Sequence, residues 1–123
     1  MKRTHTKEAQ KIFGSAARTA TATATFNCAS LGGLFFISCT ADPASASVVF
    51  NIDGECPETG ETYTIIDSAA ISATGLTVIK VHPSLTGSAN TIAKDILPSN
   101  IKVTAVHADA DSITYSMHFV GVN

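Results

Sequence analysis

RTATATATFNC, residues 18–28, alternates strictly between polar and apolar side chains. Every even position from Ala20 to Cys28 is apolar, and every odd position from Thr19 to Asn27 is polar. This period of two indicates a β-strand with one dry face, because successive side chains of a strand point to opposite sides. Threonine on the wet face is a good strand former, and the stretch therefore predicts an all-β protein.

Six more segments downstream have the composition of strands. Their predicted bounds are residues 34–41, 48–53, 62–72, 76–82, 101–108 and 112–122. The segment LFFISCTA (34–41) is apolar enough to be a central strand, whereas a short helical turn is expected within NTIAKDIL (90–97). Short strands separated by turn sequences such as ASLGG (29–33) predict an antiparallel β-sandwich or a jelly-roll-like barrel of about seven strands.

The chain length and the distribution of charge suggest one domain with an N-terminal arm. A chain of 123 residues can bury a sizeable core. Residues 1–17 have no clean period and are interpreted as an extended arm, which leaves residues 18–123 as the β-sandwich domain. Residues 1–18 hold five basic residues and one acidic residue, whereas the rest of the chain holds three basic and nine acidic residues.

A basic arm on an acidic body suggests that the arm docks on a neighbouring subunit or on another protein. The alternative is a solvated tail. The candidate partner-binding residues are Lys2, Arg3, Lys7, Lys11 and Arg18. Nucleic acid is a less suitable partner, because the arm is short and the body is acidic.

Neither export nor a membrane span is expected from the sequence. Met1, Lys2 and Arg3 are followed by polar residues instead of the apolar run of a signal peptide. The longest apolar run, residues 34–37, is too short to cross a bilayer.

The three cysteines, Cys28, Cys39 and Cys56, form no CxxC or Cys/His metal motif. Free and mostly buried thiols are expected in a protein made in a reducing cytosol. A disulfide between Cys28 and Cys39 across a hairpin remains open.

VHADADSITYS, residues 106–116, has the strongest chemical character in the chain, since it places His107, Asp109 and Asp111 at alternate positions. Aspartate is favoured in tight turns because its carboxylate can bond nearby backbone N–H groups. A calcium ion needs about six to eight oxygen ligands, which one turn does not supply. The sequence therefore predicts a turn between two strands, and the acidic segment 53–61 is interpreted as a solvated hairpin for similar reasons.

No motif of catalysis or cofactor binding is present in the sequence. It has no GxSxG elbow, no GxxxxGK[ST] loop and no GxGxxG turn. The four histidines, His5, His82, His107 and His118, share no ligand spacing. We expect no enzymatic activity, no cofactor and no metal site.

The second part of the chain resembles small proteins encoded among the virion genes of tailed bacteriophages. Two segments carry the resemblance: SVVFNIDGECPETGETYTIIDSAAISATG (47–75) and LTVIKVHPSLTGSANTIAKDILPSNIKVTAVHADADSITYSMHFVGV (76–122). The shared features are the order of an ISATG turn, a strand ending near Pro-x-Leu, an AN…A.D.LP connection and a closing hairpin at HADADSITYS. Two departures are Ser99-Asn100-Ile101-Lys102, where relatives often have Arg and Trp, and the absence of a basic residue in the loop of Cys56.

This resemblance implies a β-sandwich virion component, namely a head decoration or cement protein that stabilises the capsid. Its partner would be the major capsid protein, and such proteins commonly form homotrimers at threefold positions. The implied location is the capsid exterior, after synthesis in the host cytoplasm. The resemblance carries no contact residues, because the family has no functional motif at the level of single residues.

Two other functions remain open at the level of sequence. A fibre or host-surface-binding (adhesin) module would use the loops 54–61 and 84–98, and the available tyrosines are Tyr63 and Tyr115. A hydrolase on the same fold would use clustered acids such as Asp109 and Asp111.

Overall fold

The computed structural model describes residues 8–123, and this part of the chain is all-β. It contains nine strands. They are β1 (Ala9–Arg18), β2 (Ala22–Asn27), β3 (Gly32–Ala41), β4 (Val48–Glu55), β5 (Thr62–Asp67), β6 (Gly75–Val81), β7 (Ile92–Ala93), β8 (Asn100–His107) and β9 (Ile113–Val122). The predicted all-β class is confirmed.

The strands form two sheets that pack face to face as a β-sandwich. One sheet has the order β1-β9-β3-β6-β7 and the other has the order β2-β8-β4-β5. Apart from the short parallel pairing of β6 with β7, all neighbours are antiparallel. The paired strands are nested in sequence, with β4–β5 innermost, then β3–β6, then β2–β8, and β1–β9 outermost. This is the connectivity of a jelly roll.

Two groups of aromatic side chains fill the space between the sheets. Phe26 from β2 lies 5.2 Å from Phe119 and 6.3 Å from Phe35, measured between ring centroids. Nearer the start of β9, the Tyr115 ring lies 5.1 Å from Phe50 in an edge-to-face arrangement. Such pairs stabilise a core beyond the area that they bury. The large rings also compensate for the small alanines on the inner face of β2.

The predicted boundary between arm and domain is wrong for residues 9–17, since they form most of β1, an edge strand of the larger sheet. Phe13 is buried in the core. The register of β1 against β9 shifts on both sides of Phe13, between Lys11 and Phe13 and again between Phe13 and Ala16. These irregularities interrupt the period of two and hide the strand in the sequence.

Two predicted elements have different bounds in the structure. The alternating stretch 18–28 is a strand from Ala22 to Asn27, because Arg18 ends β1 and residues 19–21 connect the two strands. The segment 90–97 contains no helical turn. Instead, Ile92–Ala93 pairs with β6 in parallel.

The predicted strand 62–72 is shorter in the structure and ends at Asp67. The buried Ser68 hydroxyl accepts the N–H of Phe50 at 2.9 Å and donates to the Ala69 carbonyl at 2.9 Å. The side chain thereby takes the place of a backbone acceptor in the ladder, and the chain turns away.

Replacement of Gly33 by alanine tests how closely β3 and β9 approach each other. A Cβ atom on Gly33 would lie 2.3 Å from the Phe119 ring and 2.7 Å from the Val120 carbonyl oxygen. We expect Gly33→Ala to lower the free energy of unfolding by about 1–3 kcal/mol, as overpacking does. Urea denaturation measures the change.

Gly14→Ala is the matched control, because a Cβ atom there meets no atom within 4 Å. Its stability should equal or slightly exceed that of the wild type. Equal stability of both variants would contradict the close packing of Phe119 on β3.

Candidate functional site

The outer face of the larger sheet carries a cluster of mostly half-buried apolar side chains among polar ones such as Ser38, Lys80 and Ser116. Phe35 and Phe119 point into the core, so the residues beside them in sequence point outward. The apolar face consists of Leu34, Phe36, Leu76, Val78, Val120 and Val122. Cross-strand pairing brings these side chains together, since Leu34 lies opposite Val120 and Phe36 lies opposite Val78. Leu76, at the border, is 63% exposed.

The outer face of the smaller sheet is mainly polar. Its outward residues include Thr23, Thr25, Asn51, Asp53, Thr64, Lys102 and Thr104, and one apolar pair, Val49 with Val106. Antiparallel sheets of a sandwich normally have such a solvated outer face. The apolar face is the exception, and contiguous exposed apolar surface of this kind is typical of a site that contacts another protein.

The two outer faces also differ in charge. Lys80 lies opposite Leu34 and His118 lies opposite Phe36, so both stand within the apolar face, and Lys11 lies beside it. None of the outward strand residues of this sheet within 8–123 is acidic. The polar face carries Asp53 and Asp67 near Lys102. Burial and the neighbouring Asp67 raise the pKa of Asp53, while Lys102 opposes the shift. A partner for the apolar face would therefore have apolar side chains with carboxylates around them.

A groove of about 390 Å³ lies at one end of the apolar face. Its walls include Leu34, Val122 and Leu85, with Lys80 and His82 beside them. The Nδ1 atom of His82 lies 2.7 Å from the Ser84 hydroxyl oxygen, and among the described residues no group forms a hydrogen bond with its buried Nε2 atom. This Ser–His contact is local along the chain.

The run 34–37 contained the signal for this face. A central strand with apolar side chains at both odd and even positions has two covered faces. Phe35 and Ile37 face the core, whereas Leu34 and Phe36 lie on the outer side.

The HADADS segment forms the turn that the sequence predicted. The Asp109 carboxylate accepts the Asp111 N–H at 3.0 Å, and both residues are exposed. Within residues 8–123, no three His, Cys, Asp or Glu side chains come together as a metal site.

His107 lies beside the turn and contacts the core. Its Nε2 atom shares a hydrogen bond of 3.0 Å with the Tyr115 hydroxyl, and Tyr115 is fully buried. Burial lowers the pKa of His107, the Arg18 charge lowers it further, and Asp109 partly opposes them. The arrangement therefore favours a neutral imidazole.

Arg18, a predicted partner-binding residue, is used within the fold. Its guanidinium donates hydrogen bonds to the carbonyls of Gly14 (2.7 Å), Ala16 (3.2 Å) and Tyr115 (2.9 Å). It also lies over the Tyr115 ring, 4.6 Å from the centroid. Arg18 therefore holds β1 against β9, and its role in partner binding stays a prediction.

The other basic residues proposed for partner binding have different positions. Lys11 is exposed on β1 beside the apolar face, opposite His118. Lys2, Arg3 and Lys7 lie outside the described residues.

The three cysteines are free thiols. Cys28 precedes β3 and Cys39 lies near its far end, so the open alternative of a disulfide between them does not form. Cys56 is exposed in the turn between β4 and β5, where hydrogen bonds from Thr59 and Glu58 lower its pKa.

The aromatic residues considered for an adhesin also separate. Tyr63 is 49% exposed and its ring covers Gly54 across the β4–β5 pair, whereas Tyr115 belongs to the core. Of these two tyrosines, only Tyr63 is therefore accessible to a ligand.

No protein-family model matches the chain, and no curated protein shows significant similarity to it. Residues 8–123 include no helix of the length and hydropathy required to cross a bilayer. What the fold defines is a β-sandwich of jelly-roll connectivity with one apolar outer face.

Replacing Arg18 tests its structural role. Arg18→Ala removes three hydrogen bonds to carbonyls and the contact with the Tyr115 ring. We expect the free energy of unfolding to fall by about 1–3 kcal/mol. Arg18→Lys should recover only part of this loss, because an ammonium group lacks the planar fork.

Lys11→Ala is the control for Arg18, since Lys11 is an exposed basic residue of the same strand. Its stability should lie within about 0.5 kcal/mol of the wild type. Chemical denaturation of the three variants and the wild type measures their free energies of unfolding. An Arg18→Ala protein as stable as Lys11→Ala would refute the structural role of Arg18.

His107 should make stability depend on pH. The pKa of its ring is lowered in the folded protein from the ordinary value of 6.5, so the unfolded chain takes up a proton first. The stabilisation is complete above pH 6.5 and is lost as the pH falls through that value toward the folded-state pKa. We expect a loss below the one-proton limit of about 1.4 kcal/mol per pH unit.

Thermal unfolding between pH 8 and pH 5 measures this dependence. His107→Gln retains a polar side chain that does not titrate, and its unfolding temperature should decline less steeply than that of the wild type over the same range. Identical slopes would exclude His107 as the source.

Proposed function

We propose that this chain is a non-enzymatic structural protein of a tailed-bacteriophage virion that decorates and stabilises the capsid. The observation that carries the proposal is the apolar face on one side of the sandwich and the polar face on the other. The phage resemblance of residues 47–123 supplies the biological setting. The proposed partner is the major capsid protein, and the proposed location is the capsid exterior.

A decorating protein needs one surface that binds the shell and another that remains in water. The apolar face meets the first need, because it brings Leu34, Phe36, Val78 and Val120 together on one side of the sandwich. The Thr-rich face of the smaller sheet meets the second need. A module that bound no partner would not require this difference between the two outer faces.

The stabilisation would be mechanical. Each copy would bridge neighbouring capsid subunits and bury apolar area at a junction that internal pressure strains. An interface of about 800 Å² per partner is enough for specific binding. Repetition around a closed shell adds avidity to a modest affinity for each site. Lys80 within this face and Lys11 beside it would favour a shell surface with carboxylates.

The basic segment with Lys2, Arg3 and Lys7 is the proposed second contact with the shell. The described chain begins at Glu8, whose carbonyl accepts the Gly121 N–H at 2.6 Å. Gly121 lies between Val120 and Val122 of the apolar face. The basic segment is therefore attached at the border of that face and could act together with it.

Leu76→Glu tests the apolar face as the binding surface. Leu76 is 63% exposed, so the substitution should leave the fold intact. It places a charge where the interface requires an apolar contact, and we expect binding to expanded capsids of the encoding phage to weaken at least about tenfold. Co-sedimentation with the capsids measures the loss.

Thr104→Glu is the matched control, since it adds the same charge to the polar face. It should bind capsids as the wild type does, and deletion of residues 2–7 should weaken binding without unfolding β1. Wild-type binding by Leu76→Glu would refute the apolar face. Binding to host cells instead of capsids, reduced by changes in the loops 54–61 and 84–98, would favour the adhesin alternative.

A further inference from the structure

The sandwich has four sheet edges, and three of them carry some protection against pairing with another strand. The edges are β1 and β7 in the larger sheet and β2 and β5 in the smaller one. A free edge presents unpaired backbone N–H and C=O groups, which act as a template for a further strand unless something interrupts or covers them.

Different devices protect the three edges. Strand β1 is irregular at two places, and Arg18 occupies the carbonyls of Gly14 and Ala16. Strand β5 has its last carbonyl, that of Asp67, occupied by the Asn90 side chain at 3.0 Å. Strand β7 is only two residues long and pairs with β6 only at Lys80 and Val81, so the earlier residues of β6 have no strand on that side.

Strand β2 resembles β5 in having one side chain bonded at its end, but the rest of its edge is uninterrupted. It pairs with β8 in an uninterrupted register from Ala22 to Asn27. Within this strand there is no proline and no charged residue. A single side chain, Gln10, reaches its end and donates to the Asn27 carbonyl at 2.7 Å.

The orientation of the backbone shows which groups of β2 are open. The Cys28 N–H donates to the Ser99 carbonyl at 2.8 Å, which continues the ladder with β8. Along an antiparallel strand, the backbone N–H and C=O groups of successive residues point alternately to the neighbouring strand on one side and to the opposite side. The even residues of β2 therefore bond β8, and Thr23 and Thr25 direct their N–H and C=O groups toward the free edge. No hydrogen bond from any residue in 8–123 reaches these groups.

We infer that two copies of this chain pair antiparallel through their β2 edges around a twofold axis. The result is one continuous sheet of eight strands made from the two smaller sheets. A twofold interface uses the same patch on both subunits and must be self-complementary. The alternation in β2 provides this property, because the open backbone groups of both copies belong to threonine residues. Thr–Thr pairs across strands are also favourable.

The occupant that fits this edge best is a second copy. When Thr23 lies opposite its symmetry mate, Thr21 lies opposite the partner's Thr25, and Ala22 lies opposite the partner's Ala24. This register keeps threonine against threonine and alanine against alanine, whereas a shift by two residues would place Ala22 opposite the partner's Phe26. The edge has no charge that would select a different chain.

This pairing is independent of the capsid proposal, because it leaves the apolar face uncovered and requires no shell. It predicts a dimer, in contrast to the homotrimer that the phage resemblance implies. The two assemblies are distinguishable by mass alone.

Light scattering of the full chain over a range of concentrations is the first test. The mass should rise from that of the 12.7 kDa monomer to twice that value. Amide hydrogen exchange at Thr23 and Thr25 should slow as the dimer forms, while exchange at Val103 on β8 should not change. A monomer at every concentration, a trimer, or a dimer without protection of Thr23 and Thr25 would overturn the proposal.

Two substitutions at Thr23 locate the contact. Thr23→Pro removes an N–H that the monomer does not use, so the fold should persist while two hydrogen bonds at the centre of the dimer are lost. We expect the dissociation constant to rise about tenfold or more. Thr23→Lys should weaken the dimer comparably, because it places like charges near the axis.

Thr104→Lys is the matched control, since Thr104 lies directly beside Thr23 on the same face but in the central strand β8. It should dimerise as the wild type does, with unchanged circular dichroism in all variants. A Thr23→Pro protein that folds and dimerises with wild-type affinity overturns the β2 contact, as does equal weakening by Thr104→Lys.

Discussion

Strand β9 is the element on which the rest of the sandwich depends. It is hydrogen-bonded on both edges, to β1 on one side and to β3 on the other. Its inward side chains Tyr115, Met117 and Phe119 are fully buried and contribute to both aromatic groups of the core. Because β9 is the last strand and β1 the first, the sheet is complete only when the two ends of the chain meet, which makes the contacts highly non-local.

The Tyr115 end of β9 also controls the edge of the larger sheet. Arg18 bonds the Tyr115 carbonyl and stacks on its ring, and the same guanidinium occupies the Gly14 carbonyl of β1. One side chain therefore connects the strand to the core and protects the edge. The surfaces that remain for partners are the apolar face and the edge of β2, which point in different directions and could serve different contacts.

The sequence predicted most strands because their alternation reflects burial on one side. Strand β1 was not predicted, since the irregularities around Phe13 break the alternation of polar and apolar residues. Its basic residues were interpreted as part of an arm. Arg18 could not be assigned from its sequence position, because its partners Gly14 and Tyr115 are brought together only by the β1–β9 pairing. The HADADS turn was predictable, since the Asp109 carboxylate bonds an N–H two residues away.

The amino-acid sequence by itself determined the all-β class, the bounds of most strands and the turns, because these depend on neighbours within a few residues. Only the tertiary structure decided that Leu34, Phe36, Val78 and Val120 share one outer face, since their strands are far apart in sequence. It also decided which edge stays open. Alternation in RTATATATFNC predicts a strand, but whether that strand has one hydrogen-bonded neighbour or two depends on the order of strands in the sheet.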